Sequence, residues 1–518
     1  MANIISDNVE FLTDKFKVTV KENGIRNEKV KIALLADGTT NNITLPPEIY
    51  REYDGLGMGT KTLKTYYANI EFENAAVIEI ECSNTVDKLK VSPLKYSEAI
   101  TFTGNKATIN VDKNANSYLE PNGDIFGGIH VFCTKKASKP KITKNFIEFT
   151  EGVYTAENCE YIRFNEFGTP VVDITESNTT VFINNGATVN AAFVLNNVKN
   201  VKICGSGEIS LLNRCHGAKE SFTDERFWGA FRKNALPNVY VKNGCENIEI
   251  EGVVLNCEFR GICVRNGKNV TMRNVKIFTS TENADGINCV NASDIIVDGC
   301  YVYSADDCFC MYDSCDSIPW LNDAEYEKPD GICKNAEIKN CTMASNARPF
   351  VLGGHATGSK TPRCEISDIY VHDCEITYTP YRIFGNTAEY ANYWSGLMRI
   401  LSQSAQSVKN ITFENMVFNV TKGHNGKAVH IEVRAKKSAS YAESEGYKIE
   451  NIKFKNIKIQ GNTENMVASL IKCGIENAKD CGVYGVVFEN FTVAGLPITD
   501  KQISEIGNVS DIEFLNRI

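Results

Sequence analysis

From residue 1 to about 150 the chain carries short apolar or alternating runs such as Phe16-Lys17-Val18-Thr19-Val20, Val30-Lys31-Ile32-Ala33-Leu34-Leu35 and Gly128-Ile129-His130-Val131-Phe132. Several are bounded by Gly, Asn, Asp or Pro, and none has a helical period, so this stretch predicts a β-sandwich. Beyond about residue 180 one pattern recurs. It reads Asn200-Val201-Lys202-Ile203, Asn247-Ile248-Glu249-Ile250, Asn269-Val270-Thr271-Met272, Asp294-Ile295-Ile296-Val297, Asn335-Ala336-Glu337-Ile338, Asp368-Ile369-Tyr370-Val371, Asn410-Ile411-Thr412-Phe413 and Asn451-Ile452-Lys453-Phe454. In most copies Gly252, Asn274, Gly299, Asn340, Asp373, Asn415 or Asn456 follows five positions after the opening residue, ahead of another short strand. These residue types tolerate a left-handed backbone, so each copy predicts strand, one-residue bend, strand. The smallest spacing between copies is 22 residues and later ones reach 42. A coil of little more than twenty residues with loops inserted at chosen corners is a right-handed parallel β-helix. The fold class is therefore all-β, with an N-terminal β-sandwich-like domain over residues 1–150 and a β-helix domain over 151–518.

Cys300, Cys341 and Cys374 each follow the bend residue directly and are expected to stack inside the coil at the spacing of adjacent strands, about 4.8 Å. Buried cysteines behave as small hydrophobes, and neither a metal nor another cofactor is expected. The total of 19 cysteines, an odd number scattered through 518 residues, fits reduced thiols better than a disulfide framework. A hydrophobic content of 43% with 23% charged residues predicts a chain that folds throughout. The net charge of -9, without a basic run, disfavours nucleic acid as a partner. The start, Met1-Ala2-Asn3-Ile4-Ile5-Ser6-Asp7, has no basic or apolar leader pattern and no stretch reaches the length of a membrane span. The expectation is a cytoplasmic protein, provided no leader has been trimmed, with no membrane partner.

Three segments on consecutive coils carry the candidate chemistry: Asn283-Ala284-Asp285-Gly286, Ser304-Ala305-Asp306-Asp307-Cys308 and Gly353-Gly354-His355-Ala356-Thr357-Gly358. A single Asp-Gly or Asp-Asp pair more often marks a turn. Asp285 and Asp306 are separated by about one coil, however, so the carboxylates of Asp285, Asp306 and Asp307 meet on one face, where like charges repel and raise a pKa. Such a cluster suits glycoside hydrolysis, one carboxyl protonating the leaving oxygen and another carboxylate activating water.

In this order on a β-helix, Asn-Xaa-Asp-Gly, Asp-Asp-Cys and Gly-Gly-His resemble the polygalacturonases of glycoside hydrolase family twenty-eight. Ser395-Gly396-Leu397-Met398-Arg399-Ile400-Leu401 and the strand after it resemble the family's Arg-Ile-Lys segment, and the likeness covers roughly residues 180 to 460. The resemblance implies Asp306 as general acid, Asp285 and Asp307 as the pair holding the attacking water, His355 as the histidine that tunes the acid, and Arg399 as a substrate-binding arginine. It also implies inversion at the anomeric centre. Asn283 of the first motif is taken as a further substrate contact, and the two glycines beside His355 are expected to allow close approach of a ligand.

Leu401 stands where polygalacturonases carry lysine, and leucine cannot pair with a uronate carboxylate. A neutral glycan is expected on that ground. The N-terminal β-sandwich and the entry segment Thr180–Val189 are similar instead to the dextranase and isopullulanase family of the same clan, which cleaves neutral α-glucans. Insertions at 213–235, 313–334 and 378–394 place Trp320, Tyr381 and Trp394 as candidates for stacking on sugar, with packing of the loops as the alternative. The reading is an inverting glycoside hydrolase acting on an α-linked oligo- or polysaccharide. Left open are a pectin hydrolase of the polygalacturonase or rhamnogalacturonase type and a carbohydrate-binding β-helix without turnover. A lyase would favour calcium and basic residues, against the acidic trio.

Overall fold

A repeating coil in which two bends of every turn adopt the left-handed conformation builds most of this protein. The structure, a computed structural model, describes residues 13–37, 61–124, 127–136, 138–141, 145–166, 168–211, 236–257, 259–280, 284–312, 332–354, 364–379, 396–403, 406–421, 426–434, 447–475 and 481–516. Two long, almost wholly parallel sheets of 22 and 12 strands form the β-helix. One coil runs through the strand Lys268–Arg273, a bend at Asn274 and the strand Lys276–Thr279, all in the larger sheet, then turns a corner to the strand Ile287–Val290 of the smaller.

The bends at Gly252, Asn274, Gly299, Asn340, Asp373, Asn415 and Asn456 all have positive φ, as the sequence pattern requires. The opening Asn or Asp of each copy is left-handed as well, from Asn200 at +57° to Asn451 at +56°, so each copy holds two such bends. Both rows are tied along the coil axis by their own side chains. The Nδ2 of Asn247 donates to Asn200 at 2.9 Å, Asn269 to Asn247 at 2.7 Å, Asn410 to Asp368 at 2.9 Å and Asn451 to Asn410 at 2.8 Å. A second ladder runs Asn415 to Asp373, Asn456 to Asn415 and Asn490 to Asn456. Asparagine is used here because it accepts the backbone conformation and supplies both a donor and an acceptor to the neighbouring coils. Asn410→Ala loses both functions and is expected to cost about 1–2 kcal/mol in denaturant unfolding. Asn410→Gly, which keeps the backbone freedom, is expected to cost less, and equal losses would mean that the backbone conformation contributes nothing.

Inside the coil, Ile248, Val270, Ile295, Ala336, Ile369, Ile411, Ile452 and Val486 lie opposite one another on successive strands and are buried. Phe413, Phe454, Phe488 and Phe514 stack with ring centroids 5.2–5.5 Å apart. Cys300, Cys341 and Cys374 are buried in the same core, where the Cys341 amide donates to the Cys374 sulfur at 3.4 Å. Sixteen cysteines among the described residues are thiols, and burial pushes those of Cys257, Cys289, Cys300 and Cys341 well above the ordinary range.

The N-terminal domain is a sandwich of two five-stranded sheets closing on a core that includes Val18, Ile70, Ile78 and Val131. Its last strand is Ile129–Lys135, and Asn145–Phe149 already belongs to the 22-stranded sheet, whereas the sequence division is drawn at residue 150. The sandwich docks on the outer face of that sheet through Tyr67, Phe132, Phe278, Tyr301, Tyr303 and Tyr378. Buried His130 contacts the Tyr301 hydroxyl at 2.6 Å and the Thr65 hydroxyl at 3.1 Å, and burial pushes its imidazole down to about 3, so it is neutral. Lys276, fully buried, donates to the Thr134 hydroxyl at 2.7 Å and the Gly252 carbonyl at 2.9 Å. Burial lowers its ammonium to about 7. The strands Lys276–Thr279 and Tyr301–Ser304 thus meet the sandwich on one side and lead into the carboxylate-bearing corners at their ends. Among the described residues no helix is long and apolar enough to cross a membrane.

Candidate active site

Each candidate aspartate sits where a strand of the larger sheet turns into one of the smaller sheet. Asp285 lies between Lys276–Thr279 and Ile287–Val290, and Asp306 and Asp307 lie between Tyr301–Ser304 and Phe309–Tyr312. In the smaller sheet Ile262, Ile287, Phe309 and Phe350 face one another on consecutive strands. Two residues before each strand begins, this register brings Arg260, Asp285, Asp307 and Arg348 into one column. Opposite charges at both ends flank two like charges in the middle.

The contacts follow that order. Arg260 Nε lies 3.3 Å from Asp285 Oδ2, and Asn288 donates to the same oxygen at 2.9 Å. Arg348 grips Asp307 with both arms, Nε to Oδ1 at 2.6 Å and an Nη to Oδ2 at 2.8 Å. The same Arg348 nitrogen lies 3.5 Å from Asp306 Oδ1. The Asp307 amide donates to Asp285 Oδ1 at 3.3 Å, which joins the two carboxylate turns. All six residues are buried. Burial raises the Asp285 carboxyl to about 6 and the Asp307 carboxyl to about 7, with Arg260 and Arg348 respectively pulling against it and the neighbouring aspartates adding to it.

Asp285, Asp306, Asp307 and Arg399 fall on described residues, and the three aspartates come together as expected. Asn283, Trp320, His355, Tyr381 and Trp394 lie outside the described residues. Arg260 and Arg348 were not among the expected site residues. The register that aligns Asp285 with Asp307 also aligns Arg260-Gly261 and Arg348-Pro349 with them, and that alignment was the signal available in the sequence.

Arg399 is fully buried on the outer row of the smaller sheet, facing Val351 on one strand and His430 on the next. Burial, with the like charges of Arg348 and Arg434, holds its guanidinium well below the usual range. Glu432 stands opposite Leu401 and lies 3.1 Å from His430 Nε2, 3.4 Å from Lys472 Nζ and 3.8 Å from an Arg434 nitrogen. These neighbours hold its carboxyl down at about 2 although burial alone would raise it. Lys427, buried, also feels both Glu432 and Arg399. Arg399 is therefore one of several cations in this region, where the sequence assigned only it.

Gly353 and Gly354 differ from expectation in what they approach. A Cβ on Gly353 would lie 1.9 Å from the Leu401 carbonyl, and one on Gly354 would lie 2.6 Å from Leu401 Cδ1, both glycines having positive φ. The close contact they permit is to the strand Met398–Gln403, and Leu401 packs against that bare backbone.

Ligand atoms of Asp285, Asp307 and Cys310 lie within 4.8 Å of one another, the spacing of a metal site among the described residues. Both Asp307 oxygens are engaged by Arg348, and Arg260 and Asn288 engage Asp285, so a metal ion here would have to displace guanidinium charge.

The model of the glycosyl hydrolases family 28 matches residues 168–328, the stretch that carries all three aspartates but neither Arg348 nor Arg399. Over that stretch the chain resembles that family. Among solved structures, Dex49A from Penicillium minioluteum is similar with a TM-score of 0.61 at 13% identity, over 98% of this chain and 95% of that one. The likeness spans sandwich and β-helix together and shows the shared fold. A family 28 exopolygalacturonase from Yersinia enterocolitica aligns with a TM-score of 0.49 at 14% identity, over 84% of this chain and 96% of that one. No curated protein sequence matches the chain.

Proposed function

We propose that this protein is an inverting glycoside hydrolase that cleaves an α-linked oligo- or polysaccharide, with Asp306 as general acid and with Asp285 and Asp307 holding and activating the attacking water. The family match over the aspartate-bearing coils and the shared two-domain fold support a glycoside hydrolase. The observation that carries the division of roles is the column Arg260, Asp285, Asp307, Arg348. A carboxylate gripped by both arms of a guanidinium is held as an acceptor, so Asp307 is suited to receive a proton from water. Its carboxyl and that of Asp285, raised toward neutrality, are stronger bases than ordinary aspartates and match a base working near neutral pH. Asp306, whose Oδ1 lies 3.5 Å from an Arg348 nitrogen beside the column, is proposed to carry the transferable proton. His355 is proposed to tune that acid. Asn283, Arg399, Trp320, Tyr381 and Trp394 are proposed to bind sugar.

A panel of α-linked oligosaccharides screened for new reducing ends tests the activity, and proton NMR early in hydrolysis should show the inverted anomer first. Initial release of the retained anomer sinks the mechanism. Protonation of Asp285 and Asp307 removes the base, so kcat/KM is expected to fall as the pH drops below about 6–7, the range to which these carboxyls are raised. An acid limb lying near pH 4 would show that neither carboxylate is the base.

A neutral glycan is the proposed substrate, because Leu401 offers no charge and Glu432 already stands among the surrounding cations. The second reading, an anionic glycan, is favoured by the cluster of Arg399, Lys427, Arg434 and Lys472. The ratio of kcat/KM on neutral α-linked oligosaccharides to that on oligogalacturonates decides between them.

A further inference from the structure

Beneath the carboxylates, three buried hydroxyls end three successive strands of the larger sheet: Thr279, Ser304 and Ser345. Ser304 and Ser345 face each other in register, and Thr279 falls in the same row because Phe278 faces Tyr303. Thr279 Oγ1 donates to the Ala284 carbonyl at 2.5 Å and accepts from the Ala305 amide at 2.9 Å. It therefore links the residue before Asp285 to the residue before Asp306. The Asp306 carbonyl accepts from Ser304 at 2.8 Å and from Ser345 at 2.7 Å, which uses both of its lone pairs. Ser345 in turn accepts from the Ala347 amide at 2.9 Å, next to Arg348. The two turns are also joined directly: Gly286 N to Asp307 O is 2.8 Å, whereas the links made by the Asp306 and Asp307 amides are longer, Asp306 N to Ala284 O at 3.4 Å and Asp307 N to Asp285 Oδ1 at 3.3 Å. The short bonds at Asp306 itself thus run through Ser304 and Ser345, and Thr279 holds the residue before it.

We propose that Thr279, Ser304 and Ser345 are positioning residues, a hydroxyl clamp that fixes the backbone of the acid Asp306 relative to the water-holding Asp285 and to Arg348. The assignment rests on the glycosidase reading above. None of the three hydroxyls changes charge near neutral pH, and each is sealed from solvent, so what they contribute is geometry. Direct displacement by water requires the acid and base carboxylates to face opposite sides of one sugar at a set separation. A misplacement of about 1 Å costs on the order of a hundredfold in rate.

Thr279→Val keeps the shape and removes both bonds, Ser345→Ala removes one link to Asp306, and Thr279→Ser restores the hydroxyl. On the oligosaccharide that the wild-type protein cleaves fastest, Thr279→Val and Ser345→Ala are expected to lower kcat about 10- to 100-fold with KM changed less than about threefold. Thr279→Ser is expected to recover most of the rate. Hydrogen exchange read by mass spectrometry on the peptide 301–309 tests the clamp without any substrate. Exchange there should quicken about tenfold in Thr279→Val, while the distant coil 448–461 stays unchanged. Wild-type protein that cleaves nothing in the panel overturns the glycosidase reading and leaves the clamp to be judged on exchange alone. Unchanged exchange in 301–309 overturns the clamp. Faster exchange with full kcat overturns its positioning role, as does a rate loss that Thr279→Ser fails to recover. Should Thr279→Val not fold, Ser345→Ala and Thr279→Ser carry the same comparison.

Discussion

Asp306→Asn is expected to lower kcat by at least about a hundredfold while leaving the fold and ligand binding in place, because the amide keeps the side-chain shape and has no proton to give. The substitution removes one carboxylate from a cluster in which the remaining two keep their own arginines, so the charge balance of the column is preserved. The loss should therefore appear in kcat with little change in KM. An activated glycoside, whose leaving group departs without protonation, should recover much of the rate in this variant. Near wild-type turnover of an unactivated glycoside by Asp306→Asn would assign the acid elsewhere, and Asp307, with its raised carboxyl, would be next in line.

Arg348→Met has the second large expected effect, and it is read first in stability. It leaves Asp306 and Asp307 buried without the guanidinium that lies against both. Removing one partner of a buried ion pair typically costs about 3–5 kcal/mol, and a loss of this order is expected in denaturant unfolding at pH 8. The pH dependence has a definite sign. Arg348 lowers the Asp307 carboxyl, so its removal lifts that carboxyl further above about 7, whereas the unfolded chain returns it to the ordinary value near 3.8. Between those limits the folded variant binds a proton that the unfolded chain does not, and its stability must rise as the pH falls from about 8 toward 5. A variant that loses less than about 1 kcal/mol, or whose deficit is independent of pH, would show that solvent already neutralises the pair.

The repeat, its left-handed bends, the stacked cysteines and the meeting of three aspartates were legible because each depends on residues within one coil of each other. A glycine or asparagine every few residues prints the bend directly. The arginine column was harder to see, since Arg260 and Arg348 belong to corners without a recognisable motif and matter only through the register across four strands. The outward role of Phe278, Tyr301 and Tyr303 against the sandwich depends on a partner domain some 150 residues away in the chain. Gly353-Gly354 were readable as a close approach, but the identity of the approaching group, Leu401, required the neighbouring coil in place. The ion cluster around Glu432 was hidden for the same reason: His430, Glu432 and Arg434 look like ordinary alternation, and Lys472 lies on the coil beyond.

The enclosed thiols make the molecule its own unfolding recorder. Cys257, Cys300, Cys341 and Cys374 line the corner after the first strand of a coil or the end of the second, and Cys245, Cys289, Cys333 and Cys473 sample other walls of the same core. Burial disfavours the thiolate at most of them, and the thiolate is the reactive form, so an alkylating reagent should find them only when their coil opens. Because each coil contacts chiefly its two neighbours, opening can spread from an end or start within, and the two routes predict different labelling sequences. Labelling of Cys473 and Cys481 ahead of Cys289 and Cys300 would mean that the protein unzips from its C-terminal side toward the coils bearing the aspartates. Simultaneous labelling would mean that the docked sandwich and the ladders bind all coils into a single cooperative unit.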